Sequence, residues 1–121
     1  MAGTDKLKIG FLKPGAGRGH YDDFAAIVPP EIEFDMQDLG VMRTGLTDFA
    51  ARADAIIERA TSLVKMRGWQ GLMVPGAPVE VQNPGLRERL AEVLDIPFST
   101  ALAAGEAALQ ALGAQRILLM M

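Results

Sequence analysis

The chain has 121 residues, half of them hydrophobic, with 15 acidic side chains against 12 basic ones and no cysteine. That length and apolar content make one domain with a core of its own and leave no room for two. The charges are scattered, which excludes the basic footprint of a nucleic-acid or anionic-membrane binder. The missing cysteines exclude disulfides, thiolate metal sites and thiol nucleophiles, and a single histidine, His20, excludes a multi-histidine metal cage.

No apolar run approaches the roughly 20 residues that span a bilayer, and residues 1–6 lack the apolar core of a signal peptide. The expectation is a soluble, cytoplasmic protein. Leu7 to Leu12 reads as a first strand, running into a loop from Lys13 to His20 whose glycines Gly15, Gly17 and Gly19 let the backbone approach a partner closely. Their spacing is not G-x-G-x-x-G, and no acidic residue closes a second strand where a ribose would need it, so a nicotinamide site is rejected. Tyr21 to Val28 reads as a short helix, with Asp22 and Asp23 at its start and Pro29-Pro30 ending it. Ile32 to Met36 alternates apolar and polar, the pattern of a half-exposed strand near a sheet edge.

Thr47 is the expected N-cap of the longest helix, whose stripe runs Phe49, Ala53, Ile56, Ile57, Ala60, Leu63 and Val64. Lys65 and Arg67 in its last turn, with Gly68 behind them, suit the helix dipole and a left-handed C-cap. Gln70 to Val74 is then a short apolar strand that both faces should bury, and Pro75-Gly76-Ala77-Pro78 stops it because neither proline donates a backbone N–H. Asn83-Pro84 is expected to open another helix with buried Leu86, Leu90, Val93 and Leu94. Pro97 to Ser99 is a brief extended piece. Thr100 should cap an alanine-rich helix to Leu112 that Gly113 ends, and residues 116–121 look like a strand. The alternation of strands and helices predicts an α/β fold with a doubly wound parallel sheet.

The order of these features resembles the N-terminal half of the aspartate/glutamate racemase superfamily, closest to the branch of maleate isomerases and arylmalonate decarboxylases. Ile9-Gly10-Phe11-Leu12-Lys13-Pro14 stands as that family's first strand and its proline. Tyr21-Asp22-Asp23-Phe24 leads on to Gly40, and Leu46-Thr47 opens the long helix. The apolar strand before a small-residue turn, Ile96 to Ala101, and Ala108 to Ile117 complete the likeness. The resemblance implies a three-layer, flavodoxin-like sheet of four or five strands, one half of a pseudo-two-fold pair. Residues 1–99 would form the first half-domain, and 100–121 a crossover helix and a strand belonging to a second half. It also implies no metal or organic cofactor.

Members of that family act next to a carboxylate, by proton transfer, thiolate addition or loss of carbon dioxide. Such chemistry needs donors for the carboxylate and a thiol to move the proton or add to the substrate. By the resemblance the first thiol would fall at or beside Pro75, where this chain has neither thiol nor hydroxyl, and Gly15 and Gly17 stand where maleate isomerases carry a serine and an asparagine. Catalytic residues are therefore unassigned, and the chain alone is expected to be inactive. The expected binding residues for a small carboxylate or dicarboxylate are Pro14, Gly15 and Gly17 of the first loop with Pro75, Gly76 and Ala77 of the central turn. Lys13, Arg18, His20 and Tyr21 are candidate partners for its charge. Two other readings stay open: a non-catalytic organic-acid-binding subunit, and a flavodoxin-like interaction domain. A phospho-accepting receiver is disfavoured because no acidic cluster follows the first strand. An uncharged last strand would need a neighbour, so association into a homodimer is also expected.

Overall fold

Four parallel strands in the order β2-β1-β3-β4 make the sheet: β1 (Leu7–Lys13), β2 (Ile32–Asp38), β3 (Gly71–Val74) and β4 (Phe98–Thr100). The computed structural model describes residues 5–15 and 21–120. Helices α1 (Asp22–Ile27), α2 (Ala53–Arg67), α3 (Ala77–Val81), α4 (Leu86–Val93) and α5 (Ala101–Ala111) fill the connections, giving the expected flavodoxin-like three-layer α/β fold. None of these helices is long and apolar enough to cross a membrane.

Register divides the side chains between two unequal faces. Gly10 pairs with Leu72, and Leu72 with Phe98, so even-numbered positions of β1 share a face with Leu72 and Val74. On that face Leu12, Leu72 and Val74 pack against Ile56, Ala60 and Leu63 of α2, Val79 of α3, and Leu86 and Leu90 of α4. Among the described residues, the opposite face has only six-residue α1 above it. There Phe11 gathers the rings of Tyr21, Phe24 and Phe34, with centroids 5.2, 5.0 and 5.1 Å away.

Trp69, just before β3, reaches back across β1 to the edge strand. A Cβ on Gly10 would lie 2.1 Å from the indole Cδ2, so only glycine lets the ring cross. The indole Nε1 donates to Asp35 of β2 at 2.9 Å, the Arg67 guanidinium pairs with the same carboxylate, and Gln37 donates to its other oxygen at 2.9 Å. Burial pulls the Asp35 carboxyl upward, but these donors outweigh it and hold the pKa below the ordinary aspartate value.

Several expectations match and others are corrected. Ile32–Asp38 is an edge strand, and α2 ends at Gly68 in the left-handed conformation with φ 67°. Thr47, however, does not cap α2: residues Leu46–Phe49 form a 3-10 turn, Ala51 takes φ 55°, and the helix starts only at Ala53. Asn83 does not cap α4, which begins after Gly85 at φ 83°, and Val93 is exposed. The sheet has four described strands rather than five. The expected last strand is absent because Gly113, at φ 64°, turns the chain back past α5: Ile117 to Met120 are irregular and exposed, with Leu119 beside Leu102 and Leu109.

Replacing Gly10 with alanine forces the indole or β1 to move, which should cost about 1–3 kcal/mol of stability. Urea unfolding followed by the fluorescence of the sole tryptophan should show the midpoint fall; an unchanged midpoint would mean that the indole does not rest on β1.

Candidate functional site

The connection from β1 leads to β2 on one side of it, whereas the connection from β2 leads to β3 on the other. Strand order therefore reverses between β1 and β3, and the carboxyl ends of these two strands meet at the switch point, the place where open α/β sheets bind their ligands. Pro14 and Gly15 follow β1 there, and Pro75, Gly76 and Ala77 follow β3. The two turns touch. A Cβ on Gly76 would sit 2.6 Å from Pro14 Cγ and 3.6 Å from Val79 Cγ2, and Gly76 has φ 90°, so glycine is required twice over, by the close approach and by the backbone. The Gly76 carbonyl accepts from Val79 N at 3.1 Å and starts α3, with Pro78 in its first turn. A Cβ on Gly15 would meet only the flexible end of Met42, at 2.4 Å.

The structure thus puts five of the six sequence-derived positions in the two adjacent turns after β1 and β3, while Gly17 lies outside the described residues, as do Arg18 and His20. Lys13 is buried at the last position of β1, and its carbonyl accepts from Leu39 N at 2.9 Å. Tyr21 packs edge-on against Phe11 on the α1 face, and burial raises its hydroxyl pKa. Thr100 is buried in register with Val74, and its hydroxyl accepts from Ala103 N at 3.1 Å as the cap of α5. Pro75 to Pro78 supply backbone and carbon only. The arrangement can offer small-residue backbone to an anion, but no nucleophile at the turn.

Two side chains that shape this end of the sheet were not singled out from sequence as site residues. Asn83 is buried: its Nδ2 donates to the carbonyls of Phe49 (2.7 Å) and Val79 (2.8 Å), while its Oδ1 accepts from Arg52 N at 2.9 Å. It ties the entry of α2 to the segment following the β3 turn. Asp48 folds the loop that carries Met42, its carboxylate accepting from the backbone N–H groups of Arg43 (2.7 Å), Thr44 (2.6 Å) and Gly45 (3.1 Å). Those donors favour the ionised form and hold its pKa down at about 2. The sequence signal was an aspartate three residues past the N-cap glycine, Gly45, the position from which an acid reaches back to the cap's backbone N–H.

A separate cleft of about 400 Å³ lies between Leu39–Val41 and α2, where Glu58 and Arg59 put opposite charges on its wall. Arg59 Nε there already donates to the Asp38 carbonyl at 3.1 Å. Among the described residues no group of three or more histidine, aspartate or glutamate side chains is placed to hold a metal ion. Comparison of the chain with protein-family models, with curated proteins and with solved structures finds no match in any of the three.

Because the folded-state pKa of Asp48 is depressed, its bonds hold the loop fully above pH 3.8 and are lost as pH falls through about 2. Amide resonances of Arg43, Thr44 and Gly45 should therefore shift together with a midpoint near that value, and Asp48→Ala should abolish the transition. A midpoint near pH 4 would show that the carboxylate does not accept from them.

Proposed function

We propose that this chain binds a small carboxylate or dicarboxylate in the crevice between the β1 and β3 turns, as a racemase-like half-domain without a thiol of its own. The observation that carries the reading is the Pro14–Gly76 contact at the point where strand order reverses. It holds two glycine- and proline-rich turns against each other, where small side chains leave backbone accessible to an anion. Lys13 at the end of β1 adds positive charge at the same end of the sheet. The family resemblance supports the ligand class. With no cysteine in the chain, thiol-mediated proton transfer or thiolate addition would need a thiol from elsewhere.

Maleate, malonate and L-aspartate are suitable calorimetric probes. One of them should bind, and none should be racemised, isomerised or decarboxylated by the purified chain. Ala77→Glu should weaken binding at least about tenfold through like-charge repulsion, while the helix start tolerates an acid. Gly76→Val should also weaken binding, but its strained backbone makes it the less clean variant. Unchanged affinity in a folded Ala77→Glu protein would remove the crevice from the reading, and turnover by the unmodified chain would refute the inactive half-domain.

A further inference from the structure

The α1 face of the sheet holds an open groove of about 280 Å³ whose floor is Ile9, Phe34 and Met73 and whose wall is Phe24 and Ile27. No lining side chain is charged or carries a hydrogen-bonding group, so the groove has nothing with which to orient a polar ligand. Its wall is uncovered: Ile27 is 76% exposed and Phe24 41%. Directly before Phe24 in the chain, Asp22 and Asp23 open α1, both exposed to solvent.

One segment of the chain has the matching chemistry. Ile117, Leu118, Leu119 and Met120 form the only run of consecutive exposed large apolar residues among those described, and Arg116 stands directly before them. We propose that this segment of one copy lies in the α1-face groove of a second copy, with Arg116 beside Asp22 and Asp23, and that the exchange is reciprocal.

A second copy fits better than the chain's own segment because the two surfaces lie on opposite sides of the sheet. Helix α5 sits beside α3 and is tied to α4 by the Arg87–Glu106 ion pair at 3.4 Å, on the face away from α1, and Leu119 runs along that helix. The groove lies over β1, β2 and β3 on the α1 side of the sheet. Reciprocal docking about a two-fold axis makes the same contact twice and closes the assembly at two copies. It needs no organic-acid binding at the β1/β3 crevice and stands apart from that reading.

The absence of cysteine makes a cross-linking test clean. An Ile27→Cys chain mixed with a Leu119→Cys chain of different mass should give a disulfide between unlike chains under mild oxidation. Sedimentation should show a dimer, and Arg116→Asp should weaken it at least about tenfold, with recovery when it is mixed with an Asp22→Arg, Asp23→Arg chain. A monomer at every concentration would overturn the proposal. So would a disulfide formed within one doubly substituted chain, which would place the segment in its own groove. A dimer that survives deletion of residues 117–121 would assign the interface to another surface.

Discussion

Trp69 can lie across β1 only because Gly10 has no side chain, and this crossing fastens three strands at once. The indole starts at the entrance to β3, passes over β1 and ends in a hydrogen bond to Asp35 on β2. Arg67, two residues before it at the end of α2, pairs with the same carboxylate, so the longest helix is anchored at its C-terminal end to the edge strand. Strand order, and with it the location of the β1/β3 crevice, rests on β1 staying between its two neighbours. A charged carboxylate that is partly buried tolerates that position because donors surround it.

The two sheet faces are built to different standards. One is closed by α2, α3 and α4 around a continuous apolar cluster; the other has a single short helix and a ring cluster beneath it. Helix α5 buries none of its residues although only Glu106 among its eleven is charged, an unusual condition for an apolar helix. Uncovered apolar surface is therefore prominent on α1 and in the segment after α5, where Ile27 and residues 117–120 are exposed.

The strands and their parallel order were legible because short apolar runs alternated with helical stripes, and the ends of α2 and α5 followed from local chemistry: Gly68 behind two basic residues, and Thr100 as a cap. The start of α2 was not, because the signal at Thr47 was overridden by Asp48. Its carboxylate serves backbone amides upstream, so the chain makes a 3-10 turn and passes through a left-handed alanine before the helix can begin. Asn83 misled for a related reason. Its side chain satisfies backbone groups over thirty positions earlier, at Phe49 and Arg52, a long-range partnership that no local pattern encodes. Residues 117–120 carry a strand's composition, but a ladder needs an accessible edge, and the turn at Gly113 sends them elsewhere. At the crevice, the glycines and prolines marked two turns, yet the contact between Pro14 and Gly76 depends on strand order and could not be read from either turn alone.

An edge strand is an open template for adding further strands, and β2 is one of the two edges here. Glu33 and Asp35 lie on one of its faces and Asp38 at its end, with Glu31 just before it. Glu33 there pairs with Lys8 at 3.5 Å and Asp35 with Arg67, so charged groups line this edge, which disfavours pairing with another strand. At the opposite edge, β4 is three residues long and offers little ladder to extend. A charged margin on one side and a three-residue strand on the other are features by which sheets disfavour edge-to-edge growth, so the apolar groups left in solvent lie on side-chain surfaces rather than on the open ladders.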